Sequence, residues 1–177
     1  FINELDEPHN LGQIPFLARI FILSIYGICI IILGGSTVTQ KQLATQIWPF
    51  REDFGKDMPG TLAKLAELGF VGVELCRWFT WTDMFDKWSP TELVAASEQA
   101  GINLLSTHMP SYMLEADRLN ELTEFCDAVG MKYAMVASLP PEQMASKEIL
   151  QGMAATFNAA AASLKSTGIR VGFHAHG

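Results

Sequence analysis

From Lys41 onward, two hydrophobic periods alternate along the chain. Stretches with apolar residues three and four positions apart, such as Leu62, Leu65, Ala66 and Leu68, or Leu119, Leu122, Phe125, Cys126 and Val129, read as amphipathic helices. Four such stretches each run into a glycine followed by an apolar residue: Gly69-Phe70, Gly101-Ile102, Gly130-Met131 and Gly168-Ile169. Glycine takes the left-handed conformation without steric cost, so these pairs mark a helix stop and a strand start. Ser89-Pro90-Thr91-Glu92 reads as a capping box with proline at the first helical position. Strands are expected at residues 43–48, 70–76, 102–108, 131–138 and 169–174. They recur about every 30 residues, the size of one βα unit.

Strands that alternate with helices form a parallel sheet with right-handed crossovers. A doubly wound sheet and a (β/α)8 barrel both satisfy this pattern. No G-x-G-x-x-G follows the first strand, which removes the main signature of a dinucleotide-binding sheet. A complete barrel needs about 250 residues, and the chain has 177.

The mean hydropathy of +0.20 comes from the leader. Residues 14–35 are apolar except for Arg19, and residues 20–33 carry no charge. The domain division is therefore a leader at 1–40, holding a signal peptide or membrane anchor at about 14–36, and a body at 41–177. This predicts an exported (periplasmic) or membrane-anchored protein. A cytoplasmic protein with upstream sequence translated in error is the alternative, because Glu4, Asp6 and Glu7 are unlike a basic n-region. The chain begins at Phe1, has its first methionine at Met58 and ends at Gly177, and both ends read as cuts. A net charge of −7 without any run of cations argues against nucleic acid as a partner. Cys29, Cys76 and Cys126 form no C-x-x-C pair and read as buried free thiols.

In parallel α/β folds the site lies at the carboxyl ends of the strands. Strand parity puts Gly72, Glu74 and Cys76 on one side, with Leu104, Ser106 and His108, and Arg170, Gly172, His174 and His176, grouped in the same way. The opposite sides are apolar and suit contact with helices. Polar sides facing a barrel interior would gather Glu74, His108, His174 and His176 around one cavity mouth. Glu74 stands in an apolar run, so it needs a partner. It is either a substrate-binding or acid/base group with a raised pKa, or one half of an internal salt bridge with Arg51 or Arg77. His174 and His176 point the same way, as metal or anion ligation requires, but further ligands are not evident and no metal residue is assigned. The segment 77–88 holds three of the four tryptophans with Phe79 and Phe85. It is either an aromatic surface for stacking on sugar rings or a hydrophobic lid. Met84, Met109 and Met113 read as packing residues.

These pieces carry a family resemblance. QIWPFREDFGKDMPGTLAKLAELGFVGVEL, AGINLLSTHMP and GIRVGFHAHG, in that order over residues 42–177, resemble the sugar phosphate isomerase/epimerase family of xylose isomerase-like TIM barrels. The resemblance implies an α/β fold: a partial (β/α)8 barrel of about the first four βα units plus strand five, behind the apolar N-terminal segment. It also implies a fragment of a metal-dependent sugar (phosphate) isomerase or epimerase that moves a proton with a carboxylate on a carbohydrate or polyol. The implied cofactor is a divalent ion (Mn, Mg, Co or Zn) in a full-length parent, not fully ligated by this chain. Candidate catalytic residues are Glu74 and His174; candidate substrate contacts are Trp48, Arg51, Trp78, Trp81, His108 and His176. The family's fifth-strand motif reads H-N-H before an acidic residue, whereas Ala175 replaces the asparagine and no carboxylate follows. The fragment is therefore expected to be inactive alone and to expose strand edges at 43–48 and 169–174 that favour self-association. The alternative is a non-catalytic sugar-binding or partner-dependent half-barrel protein. Zinc-dependent abasic-site endonucleases share the superfamily, but they need a basic surface and residues 41–177 remain acidic.

Overall fold

The computed structural model describes residues 42–175, together with the backbone of two leader strands, β1 (Ile20–Ile25) and β2 (Ile28–Leu33). Those two strands pair antiparallel. The rest of the leader segment read as a signal peptide or anchor, the side chain of Cys29, and His176 all lie outside the described residues. Among the described residues no helix is long and apolar enough to cross a membrane.

Five strands follow: β3 (Leu43–Gln46), β4 (Phe70–Cys76), β5 (Asn103–Met109), β6 (Tyr133–Val136) and β7 (Arg170–Phe173). They form one parallel sheet in the order β3-β4-β5-β6-β7. Every strand thus lies beside its sequence neighbour and the order never reverses. That excludes the doubly wound alternative, whose sheet turns back at a switch point, and leaves the singly wound path of a barrel.

Helices α1 (Arg51–Lys56), α2 (Met58–Glu67), α3 (Pro90–Ala100), α4 (Leu119–Ala128) and α5 (Lys147–Ser163) fill the connections. The capping box is formed as expected: the Ser89 side chain accepts from the Glu92 N–H while the Glu92 carboxylate accepts from the Ser89 N–H. The four glycines expected to stop helices all have positive φ, from 68° at Gly101 to 91° at Gly69. The first strand is shorter than its expected span of 43–48, because Pro49 opens a 3-10 turn at Trp48–Phe50. The apolar sides of the strands meet the helices, where Val73, Leu75, Met109, Ala134 and Val136 join Leu62, Leu65, Leu93 and Leu122 in one buried core. Cys76 and Cys126 are buried free thiols, as the spacing implied.

One irregularity sets the register of the site. Val73 pairs with Leu104 but Glu74 pairs with Ser106, so β5 advances an extra residue at this point. Leu105 is displaced toward β4, and a Cβ added at Gly72 would stand 2.5 Å from its Cδ1. Glycine at 72 leaves the room that this shift requires. Gly72→Ala is expected to destabilise the fold by about 1–3 kcal/mol through overpacking. Most of that cost should vanish in a Leu105→Ala background, which a double-mutant cycle of urea unfolding measures.

Candidate functional site

The register brings Gln46 of β3, Glu74 of β4 and Ser106 of β5 to one level on the inner face of the sheet. Glu74 is 2% exposed. The Ser106 hydroxyl donates to its Oε2 at 2.5 Å, and the Gln46 amide donates to its Oε1 at 3.2 Å. His108, one layer further along β5, brings Nε2 to 3.0 Å from the same Oε1. Burial alone would raise the Glu74 pKa, but His108, Ser106 and Gln46 together outweigh it and hold the carboxyl below its ordinary value. The raised pKa expected from sequence is thus reversed. The expected salt bridge to Arg51 or Arg77 is replaced by a cluster of three short-range donors.

His108 forms part of the wall of a cleft of about 320 Å³ at the carboxyl ends of the strands. Its ring meets that of His174 edge to face at 4.8 Å between centroids. Gln46, Ser138 and His174 complete the polar side, and Cys76 and Ala137 also line the cleft. Burial pushes the Cys76 thiol far up, so it is a neutral, apolar lining group. The opposite side is aromatic: Trp48, Phe79 and Trp81. Trp81 stands edge-on to Trp48 at 5.2 Å and lies 5.6 Å from Phe79, and it is 61% exposed. A larger depression of about 410 Å³, lined by Phe50, Asp57, Lys64 and Leu68 among others, lies on the outer helical layer away from the strand ends. The smaller cleft is therefore the candidate site.

A second polar cluster holds the aromatic loop. Trp78 has φ +64°, a conformation that a bulky side chain rarely adopts. Its N–H donates to both carboxylate oxygens of Asp86, at 3.1 and 3.0 Å, and its carbonyl accepts from the Tyr112 hydroxyl. Arg77 Nε lies 3.3 Å from Asp86 Oδ1 without hydrogen-bond alignment, a Coulombic contact. Arg77 Nη1 donates to the carbonyls of Phe85 and Trp88, and the guanidinium lies over Phe125.

Of the residues selected from sequence, Trp48, Trp81, His108 and His174 converge on the cleft. Three do not. Trp78 turns away and packs edge-on against Phe125 at 5.2 Å, because its left-handed backbone redirects the side chain toward α4. Arg51 lies over the Trp48 ring at 4.8 Å and donates to the Trp48 carbonyl, where its charge stays outside the cleft. Glu74 sits beneath His108 rather than in the wall, so its carboxylate reaches the cleft through that ring. Sequence reasoning missed Gln46 and Ser138, and it named Phe79 only as part of the aromatic segment 77–88. Parity would have found Gln46, which lies two residues before Trp48 in the expected strand 43–48 and pairs with Glu74 in the structure.

Neither a family model nor a curated protein matches the chain. Solved structures do. A sugar phosphate isomerase/epimerase from Parabacteroides distasonis ATCC 8503 matches with a TM-score of 0.59 and 21% identity, over 80% of this chain and 54% of that one. The IolI protein with a bound zinc atom matches at 0.56 and 14%, over 73% and 50%. An AP endonuclease of family 2 from Brucella melitensis matches at 0.51 and 16%, over 65% and 48%. The chain therefore spans about half the length of the structures it matches. Its body is a five-strand part of the TIM-barrel fold found in sugar phosphate isomerase/epimerase proteins.

Two predictions follow from the clusters. A carboxyl whose pKa is lowered by folding contributes stability that is present above its unfolded value and lost as pH falls through the folded value. The stability difference between wild type and Glu74→Gln should therefore be constant above about pH 5 and shrink below the ordinary carboxyl value of 4.5; urea unfolding across this range measures it. Asp86→Ala removes the acceptor of the Trp78 N–H, and hydrogen exchange across residues 77–88 should accelerate about tenfold or more, while β5 keeps its protection.

Proposed function

We propose that the chain is the sugar-recognising part of a barrel that acts on a carbohydrate or polyol, in a parent protein that is a metal-dependent isomerase or epimerase. The observation that carries this reading is the cleft itself, with Trp48, Phe79 and Trp81 on one side and Gln46, His108, Ser138 and His174 on the other. A sugar presents the same two faces: C–H groups that stack on aromatic rings and hydroxyls that need donors and acceptors. Glu74 holds the His108 ring against this wall from behind.

The described residues do not fit a metal on their own. Among them no group of three or more His, Cys, Asp or Glu side chains could hold an ion, and both oxygens of Glu74 already accept hydrogen bonds. We therefore assign this chain recognition and orientation, and we infer that the metal and the proton-transferring carboxylate belong to the full-length parent. The zinc atom in the structurally similar IolI protein supports a divalent ion in that role. The net charge of −7 supports an uncharged sugar over the nucleic acid that an endonuclease engages.

Trp48 and Trp81 make the cleft visible by fluorescence. Neutral aldoses, ketoses and polyols titrated into the chain should give a saturable change, weakened about tenfold, or ~1.4 kcal/mol, by Trp81→Ala. An abasic DNA duplex at low salt should give none. Binding of DNA in place of every sugar would overturn the reading. Turnover of a ketose by the purified 177-residue chain with Mn²⁺ would overturn the assignment of proton transfer to the parent.

A further inference from the structure

The lining of the cleft continues past Trp81. A second hollow, of about 560 Å³, adjoins it, and Phe79 and Trp81 line both. The aromatic loop follows β4 and Tyr112 follows β5, so the two hollows lie at the carboxyl ends of the same strands, where barrel ligands bind. Trp81 is the partition between them. Its ring stands at 82° to that of Trp48, which lines the cleft, yet the residue is 61% exposed, so aromatic surface is left over for a ligand outside the cleft. The cleft, at about 320 Å³, is at the small end of the range for ligand cavities and suits a single sugar ring.

The chemistry of the second hollow restricts what can follow that ring. Beside the aromatic surfaces of Trp78, Trp81 and Tyr112 it offers the carboxylates of Asp83 and Asp86. Thr80 and Asp83, both exposed, line this hollow and not the cleft. No Lys or Arg lines it among the described residues. Neighbouring cations are engaged elsewhere: Arg77 with Asp86 and the carbonyls of Phe85 and Trp88, Arg118 with Glu121, and Lys87 over the Trp88 ring. A phosphate entering here would meet two carboxylates with no cation to replace its hydration. A second sugar ring would meet aromatic surface for its C–H groups and acceptors for its hydroxyls.

We propose that the ligand extends beyond one ring: the cleft takes a first sugar, and the hollow beyond Trp81 takes a second uncharged, hydroxylated ring. The substrate class is then a neutral glycoside rather than a sugar phosphate. This rests on the carbohydrate reading above and narrows it.

The test is tryptophan fluorescence of the 177-residue chain, titrated with maltose, cellobiose, lactose, sucrose and trehalose, with their component monosaccharides, and with glucose 6-phosphate. At least one disaccharide should bind about tenfold tighter than each of its monosaccharides, and glucose 6-phosphate should bind more weakly than glucose. The double variant Thr80→Ala, Asp83→Ala should lose most of the disaccharide advantage and keep the monosaccharide affinity. Monosaccharides that bind as tightly as every disaccharide would overturn the proposal and leave the carbohydrate reading standing. An advantage that survives the double variant, or a preference for glucose 6-phosphate over glucose, would overturn it as well. Failure of every sugar to bind would remove the carbohydrate reading itself, and this proposal with it.

Discussion

A carboxylate buried to 2% exposure in the second strand of a parallel sheet constrains everything around it. Removing such a charge from water costs several kcal/mol unless donors replace the lost hydration. Glu74 finds those donors on both neighbouring strands, Gln46 on β3 and Ser106 and His108 on β5. The cluster therefore ties three strands together at one level, and it does so only in one register. Without the extra residue by which β5 advances at Glu74, Leu105 would stand opposite the carboxylate in place of Ser106. The polar cluster and the room above Gly72 depend on each other: one supplies the reason for the register shift and the other makes it sterically acceptable.

The second cluster applies the same logic to a loop. Trp78 holds a backbone conformation that costs of order 1–3 kcal/mol, and the Asp86 carboxylate, Arg77 and the Tyr112 hydroxyl surround it. The result is a division of labour among aromatic residues that are adjacent in sequence. Trp78 goes outward onto Phe125, while Phe79 and Trp81 go inward to the cleft. Burial raises the Asp86 pKa against the Trp78 N–H and Arg77, and Glu121 and Asp83 add to the rise. The loop is thus positioned by a carboxylate under electrostatic tension, whereas Glu74 sits in a site that favours its charge.

The contrast explains what was legible in the sequence. Helix stops at Gly69, Gly101, Gly130 and Gly168, the Ser89 capping box and the inward parity of Glu74, Ser106 and His108 are properties of local backbone chemistry, and the structure bears them out. Period-two alternation held wherever a strand was regular. The direction of Trp78 was not legible, because it follows from a positive φ that Asp86 supports from eight residues away. Nor were the partners of Glu74, since a register shift inside a parallel pair leaves no mark on either strand alone. Arg51 looked like a ligand contact because its charge was counted without its neighbour, and the Trp48 ring and carbonyl engage it outside the cleft.

The fold is shared by proteins described as a sugar phosphate isomerase/epimerase and as an AP endonuclease, so the barrel path alone does not choose a chemistry. The choice falls to what the strand ends display. A phosphodiester ligand calls for cations in its path, and both arginines near this cleft are diverted, Arg51 over the outer Trp48 ring and Arg77 into the Asp86 cluster. The cleft that remains combines an aromatic side with a polar side lacking any Lys or Arg among the described residues. Its charged group, Glu74, is screened from the opening by His108, so an incoming ligand meets hydrogen-bonding groups and aromatic faces rather than a bare charge. The uncharged, hydroxylated ring proposed above would satisfy both sides at once. An anion would lose its hydration there without a cation to replace it.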